Sequence, residues 1–481
     1  MNPYIQYMYS YPHKTAYRPL AGVKLEDYFA ALAGSGHGLY LHIPFCQSKC
    51  GYCNLFSVTG QDTAAMDLYL AAVERQARQY KTLLAPLGTE FSSLTIGGGT
   101  PLLLSESQLE RMFAILDECF SFTSSRELVV ETAPNQTTEG KLWLLKKAGA
   151  TRISMGIQSF SDEELRALRR SHRAGRARQA LALLKSFDFP CINVDFIYGI
   201  PGQTVQSLLN SIKEALIFDP DEIFLYPLYV KHGAKLEREP GEGMVLDPKS
   251  ALEQYRAASA FLREKGFRQD SMRRFLRRKG QRAYSECGFG TSLALGCGGR
   301  SYLGRLHFCT PYAITRTDCL TRLEEYEAAQ DFTKISHGLL LSDEELKRRY
   351  VIRHLLIQPG LSLGRYEAHF GSQAAADFPL LRKWQEEGYA ERRIDENAGP
   401  KSDLRDCCRS GIDKRSMYSS RSTGDCGPRM QSSGSTGASE LNRQEYLALT
   451  PAGIALSDYL GPQLMSPKVR QYMEEWEAAH G

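Results

Sequence analysis

No run of apolar residues in this sequence is long enough to cross a membrane, and its N-terminus is polar and tyrosine-rich rather than signal-like. We therefore expect neither a membrane span nor an export signal. The formal net charge is only +4, which argues against a general binder of polyanions, and no nucleic-acid-binding module accompanies it. The sequence predicts a cytoplasmic protein without a nucleic-acid partner.

What the chain does have is length and cysteine. Its 481 residues are too many for one compact core, so two or three domains are expected. Its hydrophobic content of 42% and charged content of 24% are typical of a soluble globular protein. Twelve cysteines in a chain without export features indicate a reducing compartment, in which some of them would bind metal.

Three of these cysteines, Cys46, Cys50 and Cys53, lie in the run YLHIPFCQSKCGYCNLF. Their spacing lets three thiolates converge from one short loop, which is one ligand short of a closed cluster. A [4Fe–4S] cluster held by three cysteines keeps one iron open to a further ligand. Two alternatives remain. Zinc would need a fourth protein ligand, for which His42 is poorly placed, and a disulfide would leave one cysteine unpaired.

Short apolar runs alternate with helical patterns from residue 38 to about residue 230. The predicted strands are 39–43, 93–96, 127–131, 152–157, 192–198 and 223–230, and the predicted helices are 62–84, 105–120, 138–149, 161–170, 175–187 and 204–218. Six strand–helix units in series predict a parallel sheet of an α/β fold. Six units favour a curved, incomplete (β/α)6 barrel over a closed eightfold barrel.

Unusual polar and glycine-rich segments fall at the predicted strand ends, where ligands of such sheets bind. The segment GGGTP contains Gly97, Gly98, Gly99 and Thr100, and its glycines let a ligand approach the backbone closely. Four polar residues lie at or beyond later strand ends: Glu131, Gln158, Arg173 and Asp195. Asp195 is the most informative, because a carboxylate in a buried strand is costly unless it is paired or serves a ligand.

The motifs YLHIPFC, GGGTP, RISMGIQSF and VDFIYGIPGQT together resemble the radical S-adenosylmethionine (SAM) superfamily, in its oxygen-independent coproporphyrinogen III oxidase-like branch. The resemblance implies a radical SAM barrel with a [4Fe–4S] cluster on the three cysteines. It also implies that SAM binds the open iron, that the protein binds one SAM molecule or two in all, and that an external donor such as flavodoxin or ferredoxin supplies the electron. SAM cleavage would then give a 5′-deoxyadenosyl radical.

The same resemblance implies a role for each residue at the strand ends. The glycines of GGGTP and Thr100 would line the SAM amine, and Arg173 would pair with the SAM carboxylate. Glu131, Gln158 and Asp195 would hold the amine side and the ribose hydroxyls. Tyr40 and His42 would lie just outside the cluster, where they would tune its potential.

One position departs from the pattern of the oxidases in this branch, which carry a fourth cysteine two residues after the third. Here that position is Leu55. The departure weakens the case for coproporphyrinogen decarboxylation and leaves three functions open. They are a radical SAM enzyme acting on a tetrapyrrole or similar carboxylated substrate, a haem chaperone on the same fold, and a radical SAM methyltransferase of a natural-product pathway.

The predicted domains are an N-terminal arm at 1–37, the partial barrel at 38–235, an accessory region at 236–340 and a C-terminal domain at 341–481. As in the family, the last would be helical and winged-helix-like, with helical patterns at about 343–393 and at 447–460. Its candidate core residues are Leu355, Leu356, Leu380, Leu381 and Trp384. The arm, with His13, Lys14 and Arg18 among tyrosines, would either pack on the barrel or cap its mouth. The polar insertion at about 395–440 is expected to be disordered. The basic run at 263–282 is expected to be a solvated face, and the alternative is that Arg273, Arg274, Arg277 or Arg278 binds carboxylates or phosphates.

Overall fold

All six predicted strand–helix units are present in the computed structural model, which describes residues 2–8, 10–230, 247–277, 290–395 and 444–480. The insertion predicted at 395–440 lies outside the described residues except for its first position, as do Cys287, Cys407, Cys408 and Cys426. None of the described helices is both long and apolar enough to cross a membrane.

The strands of the described residues are labelled in chain order. They are β1 Arg18–Lys24, β2 Ser35–Ile43, β3 Phe45–Cys46, β4 Val58–Thr59, β5 Glu90–Gly98, β6 Phe122–Thr132, β7 Arg152–Gln158, β8 Cys191–Tyr198, β9 Glu222–Pro227, β10 Arg268–Gln269, β11 Arg274–Leu276, β12 Ser292–Leu295, β13 Arg300–Leu303, β14 Leu306–Cys309, β15 Lys334–Leu340, β16 Leu361–Ser362, β17 Ala390–Asp395 and β18 Gln444–Leu449.

The α-helices are labelled in the same way. They are α1 Thr63–Leu84, α2 Glu106–Cys119, α3 Glu139–Lys147, α4 Asp162–Ala167, α5 Ala174–Ser186, α6 Val205–Leu216, α7 Pro248–Glu264, α8 Arg316–Ala328, α9 Asp343–Leu355, α10 Leu363–Phe370, α11 Ala374–Asp377, α12 Leu380–Glu386, α13 Pro451–Ala455, α14 Ser457–Gln463 and α15 Pro467–His480. Short 3-10 helices occur at Lys14–Ala16, Leu25–Leu32, Ala85–Leu87, Pro101–Leu103 and Pro134–Gln136.

The core of the fold is a run of six adjacent parallel strands, in the order β2-β5-β6-β7-β8-β9. Helices connect them, as parallel pairing requires. The register brings the strand ends level: Ile43 pairs with Gly98, and Gly156 pairs with Asp195. The cysteine loop, the glycine segment and Asp195 therefore lie at one edge of the sheet.

Local sequence signals account for where the connecting helices begin. Ser105 accepts a hydrogen bond from the backbone N–H of Gln108, and the Gln108 side chain accepts one from the Ser105 N–H, so the two residues form a capping box at the start of α2. Buried Leu109, Met112 and Leu116 then recur at helical spacing and pack against the sheet. The helix is thus fixed by residues close together in sequence.

The region after the six units extends the same sheet rather than forming a separate layer. Strand β12 pairs in parallel with β2, and β13, β14, β15 and β1 follow it by antiparallel pairing. At the opposite end, β11 and β10 continue antiparallel from β9. The resulting sheet has 13 strands and runs from β1 to β10.

The C-terminal domain combines helices with a small antiparallel sheet in the order β16-β18-β17, in agreement with the winged-helix-like expectation. Its core includes three of the predicted side chains, Leu355, Leu381 and Trp384, which are all buried. The segment 447–449, which we predicted to be helical, is instead the end of β18. Its side chains serve a sheet that forms only with a strand more than 50 residues earlier, so local periodicity gives no sign of it.

The N-terminal arm lies between the main sheet and the C-terminal domain. The Tyr11 hydroxyl donates to the Glu345 carboxylate and accepts from the Ser466 N–H at 3.1 Å, while Arg349 donates to the Tyr11 carbonyl at 2.9 Å. Nearer the start of the chain, the Gln6 N–H donates to the carbonyl of Asp458 at 3.1 Å. The arm therefore packs against the fold along its length.

Candidate active site

A single cavity of about 1170 Å³ lies at the carboxyl ends of the parallel strands and extends between them. Most of the residues singled out in the sequence line it. They are Tyr40, His42, Cys46, Cys50, Cys53, Gly98, Gly99, Thr100, Glu131, Gln158 and Asp195. Ligands of parallel sheets bind at this edge, and here the fold brings together residues that are up to 155 positions apart in sequence, from Tyr40 to Asp195.

The three cysteines lie in one loop that hydrogen bonds hold to two other parts of the chain. The Gly51 N–H donates to the carbonyl of Leu168 at 3.1 Å, and the Lys49 ammonium donates to the carbonyl of Ile314 at 2.7 Å. Burial raises the pKa of the Cys46 thiol; burial together with the neighbouring Cys50 raises that of Cys53 to about 11. Both thiols are therefore protonated near neutral pH until something replaces the proton, as metal binding does.

The glycine segment is close-packed against the cysteine loop and Glu131. A Cβ on Gly97 would lie 2.8 Å from the Glu131 carboxyl carbon, and one on Gly99 would lie 2.6 Å from the carbonyl oxygen of Phe45. Gly98 has a φ of +114°, which side chains rarely adopt. Gly97 does not line the cavity but leaves room for the Glu131 side chain behind it. At each of the three positions a different steric restriction therefore favours glycine over any residue with a side chain.

Two carboxyl groups of the cavity are held by neighbouring polar groups. Glu131 accepts a hydrogen bond from the Gly98 N–H at 3.1 Å, and Asp195 accepts one from the Asn193 amide at 2.7 Å. Burial raises the pKa of Glu131 to about 7 and that of Asp195 to about 6. Burying a charged carboxylate in a strand costs free energy, and for Glu131 and Asp195 this cost shifts the equilibrium toward the protonated carboxyl group.

Two further residues are held in unusual states. Gln158, at the end of β7, has a φ of +74°, and such strained backbone is concentrated at functional sites. The buried His42 ring contacts the Tyr40 hydroxyl at 3.1 Å through Nδ1 and the Phe56 carbonyl at 2.9 Å through Nε2. Burial lowers the pKa of His42 to about 4, so the imidazole is neutral. The ring is oriented by both contacts.

Arg173, unlike Gly97 just behind the cavity wall, is a candidate whose side chain points away from the cavity. Its side chain is 73% exposed and lies 3.6 Å from the Asp162 carboxylate, at the start of α5. Arg170, three residues earlier, lines the cavity instead. Its guanidinium donates to the Cys50 thiol at 3.0 Å and to the Gly156 carbonyl at 2.5 Å. The arginine predicted for this wall is thus present, but at a different position.

Two other cationic side chains line the cavity, and the sequence did not predict that they would lie in the same site. Lys14 of the arm and Arg300 of β13 both line it, although 286 residues separate them. For Arg300 the available signal was the glycine-rich run GCGGRSYLG, which we did not interpret as a site. Gln6, Tyr7 and His13 also line the cavity, so the arm contributes part of the cavity wall.

The described part of the basic run, residues 263–277, is only partly the solvated face that we expected, since its other basic residues are exposed but two arginines are not. Arg273 and Arg274 are buried and form ion pairs with Asp458 and with Glu222 and Asp270. Asp458 and Glu222 come from distant parts of the chain, so the run alone could not reveal them, whereas Asp270 lies within the run.

The residues of the cavity suit an iron–sulfur cluster and a polar ligand. Two buried polar atoms that line it, Arg170 Nε and Asn193 Oδ1, have no hydrogen-bond partner among the described residues. Within the same residues, no three histidine, cysteine, aspartate or glutamate side chains are grouped to hold one metal ion. A cubane cluster does not need such a group, because its cysteine thiolates bind different iron atoms.

Comparison with known proteins agrees with this arrangement. The model of the radical SAM superfamily matches residues 40–215. The oxygen-independent coproporphyrinogen III oxidase of Escherichia coli (strain K12) is 26% identical over 415 residues, which are 80% of this chain and 88% of that protein. The heme chaperone HemW of Bacillus subtilis (strain 168) is 33% identical over 193 residues, 40% of this chain and 50% of that protein.

The heme chaperone HemW of Mycobacterium tuberculosis (strain CDC 1551 / Oshkosh) is 31% identical, and the match covers 62% of its length. The chain thus spans between half and two thirds of these two chaperones. The solved structure of E. coli coproporphyrinogen III oxidase, described as a radical SAM enzyme, superposes with a TM-score of 0.67 at 24% identity over 80% of this chain. It shares the α/β fold. Residues 40–215 thus match the radical SAM superfamily, and the chain is similar to proteins of its coproporphyrinogen III oxidase-like branch.

Proposed function

We propose that this protein is a radical SAM enzyme that acts on a tetrapyrrole or a similar flat, carboxylated substrate. The observation that carries the proposal is the meeting of three cysteine thiols, bare glycine backbone and two protonatable carboxyl groups in one cavity. The cavity, at about 1170 Å³, exceeds the range of roughly 300–1,000 Å³ that is usual for a single small-molecule site. It has room for a cofactor and a substrate together.

In this proposal Cys46, Cys50 and Cys53 hold a [4Fe–4S] cluster. When bound, the cluster and SAM supply a one-electron cleavage that yields a hydrogen-abstracting radical, with the electron coming from a flavodoxin or ferredoxin. The chain orients the groups: Arg170 donates to the Cys50 sulfur, and Gly98 fixes the Glu131 carboxyl group that faces the cavity.

Further cavity residues would complete the SAM site. Gly99, Thr100, Gln158 and Asp195 would contact SAM in the cavity, with Tyr40 and His42 behind the cluster. Arg170 replaces Arg173 as the cation for the SAM carboxylate, because its guanidinium lines the cavity whereas that of Arg173 points to solvent. Whether one or two SAM molecules bind is a question for titration, and the cavity volume allows either.

Leu55 bears on the type of reaction. It lines the cavity and is 43% exposed, so an apolar side chain faces the space in which the related oxidases carry a thiol. This favours a reaction in which hydrogen abstraction leads to a product other than that of decarboxylation, such as methyl transfer. A haem chaperone is the second candidate, since HemW relatives reach 31–33% identity. The match to the oxidase extends much further along both chains, which favours the enzyme.

Anaerobic reconstitution with iron and sulfide, followed by dithionite and SAM, tests the proposal through release of 5′-deoxyadenosine. We expect Arg170→Met to lower its rate by at least about tenfold, as loss of a charge-assisted hydrogen bond predicts. The matched control Arg173→Met should stay within about twofold, because that side chain is 73% exposed.

Three outcomes separate the candidate functions. No 5′-deoxyadenosine from the wild type with any reductant and tetrapyrrole would refute the enzyme. S-adenosylhomocysteine among the products would identify methyl transfer. Haem binding without SAM cleavage would identify the chaperone. A rate that falls with Arg173→Met but not with Arg170→Met would refute the exchange of the two arginines.

A further inference from the structure

A second group of charges occupies the end of the cavity that the arm covers. Lys14 lies in the 3-10 helix Lys14–Ala16, lines the cavity and is only 9% exposed. Its ammonium lies 3.6 Å from the centroid of the Tyr312 ring and 3.5 Å from the carbonyl oxygen of Asn54. Among the described residues, no carboxylate lies within ion-pair distance of it. A buried ammonium that has only a ring and one carbonyl nearby is poorly compensated.

Arg300 adds a second positive charge to the same region. It is 7% exposed, lines the cavity and donates to the Ser10 hydroxyl of the arm at 2.8 Å. Burial, together with the charge of Arg300, lowers the pKa of Lys14 to about 7. The charge of Arg300 therefore disfavours the charged form of Lys14, and both side chains line a cavity from which water is largely excluded.

The carboxyl groups of the cavity lie elsewhere. Glu127 and Glu131 belong to β6 and Asp195 belongs to β8, whereas Arg300 belongs to β13. Strands β12, β2 and β5 separate β13 from β6 in the sheet. The cavity therefore has a cationic end beneath the arm and an end that carries its acids.

We propose that Lys14 and Arg300 together bind a carboxylate of the substrate at this cationic end of the cavity. The inference rests on the proposed function, since it identifies how that site would recognise its substrate. An anion between the two side chains would relieve their repulsion, and the guanidinium fork of Arg300 matches the geometry of a carboxylate. The Tyr312 ring beside Lys14, with His13 edge-on to it at 6.4 Å, offers an aromatic wall for a flat molecule.

Binding of coproporphyrin III, which carries four carboxylates, tests this without any turnover. The probe is titrated by fluorescence quenching into the full-length, anaerobically reconstituted protein, and its tetra-amide serves as the uncharged comparison. We expect Lys14→Met and Arg300→Met each to weaken binding of coproporphyrin III by at least about tenfold, the effect of one charge-assisted hydrogen bond. Neither variant should change binding of the tetra-amide.

The matched control is Lys24→Met, which removes the same charge from a side chain that is 70% exposed and should leave binding unchanged. Iron content and the urea unfolding midpoint report whether each variant is folded. If Arg300→Met fails to fold, Lys14→Met carries the test alone, because the Lys14 ammonium makes only one long hydrogen bond, to a backbone carbonyl, among the described residues.

The proposal is overturned if the wild type does not bind coproporphyrin III, or binds the tetra-amide equally well, or if Lys14→Met binds as the wild type does. SAM also carries a carboxylate that could bind to the two cations. Equilibrium dialysis with SAM distinguishes this alternative from binding of the substrate carboxylate. If Lys14→Met loses affinity for SAM but not for coproporphyrin III, the carboxylate is that of SAM and the assignment to substrate is wrong. Absence of 5′-deoxyadenosine would refute the proposed function alone, because the porphyrin titration does not depend on SAM cleavage.

Discussion

Replacing Gly99 by alanine should damage the cysteine loop while leaving the rest of the fold in place. The Cβ would lie 2.6 Å from the Phe45 carbonyl oxygen and 3.0 Å from the Cys46 sulfur. It cannot be accommodated by a side-chain movement, because the first of these atoms is backbone. The two segments are also joined by hydrogen bonds, from the Gly99 N–H to the Ile43 carbonyl at 2.8 Å and from the Thr100 N–H to the Phe45 carbonyl at 2.7 Å.

The size of the effect follows from this overlap. Ordinary Cβ contacts begin near 3.4 Å, so the loop and the glycine segment must separate by several tenths of an ångström. Overpacking of this kind typically costs about 1–3 kcal/mol, and here the displacement falls on a cluster ligand. We expect the free energy of unfolding to fall by that amount, and the iron content after anaerobic reconstitution to fall clearly below about four atoms per chain.

Gly175→Ala is the matched control. It lies in α5 with nothing within 4 Å of the added Cβ, so alanine should stabilise the helix by about 0.5–1 kcal/mol and leave the iron content unchanged. Urea unfolding and iron and sulfide analysis measure both variants. A Gly99→Ala protein with wild-type stability and a full cluster would refute the reasoning.

Two further predictions concern buried carboxyl groups. The pKa of Glu131 rises on folding from 4.5 to about 7, so the folded state binds its proton more tightly and stability falls as the pH rises across this interval. Glu131→Gln should remove about 3 kcal/mol of the pH dependence of the unfolding free energy between pH 4.5 and 8, and equal slopes for variant and wild type would contradict this. Asp458→Asn should cost about 3–5 kcal/mol, because it leaves the buried Arg273 guanidinium without its carboxylate. The control Asp343→Asn, whose side chain is 82% exposed, should cost less than about 1 kcal/mol, and equal losses in urea unfolding would show that burial does not decide the effect.

The parts of the fold that the sequence predicts are those encoded locally. The strand predicted at 152–157 occurs at Arg152–Gln158, and the helix predicted at 105–120 occurs at Glu106–Cys119. Both depend on periodicity and caps within about a dozen residues. The convergence of Glu131 and Asp195 with the cysteine loop then follows from the parallel order of the strands, which brings their carboxyl ends together.

The features that the sequence did not predict depend on the direction in which a side chain points or on contacts with residues distant in the sequence. Arg170 and Arg173 are three residues apart and chemically identical, but Arg173 caps α5 and turns toward Asp162, while Arg170 turns inward. Lys14 and Arg300 line one cavity only because the arm packs against the barrel, as the hydrogen bond from Arg300 to Ser10 shows. No periodic pattern records such contacts.

The docking of the arm also has a consequence for how the protein is made. Ser10 and Tyr11 leave the ribosome early, whereas Glu345, Asp458 and Ser466, which hold the arm, emerge near the end of synthesis. Until then the wall that residues 6–14 give to the cavity is missing. The cysteine loop emerges several hundred residues earlier and stays accessible to iron and sulfide during that interval. Closure of the cavity is therefore a late step of folding, and it follows the period in which a cluster can be inserted.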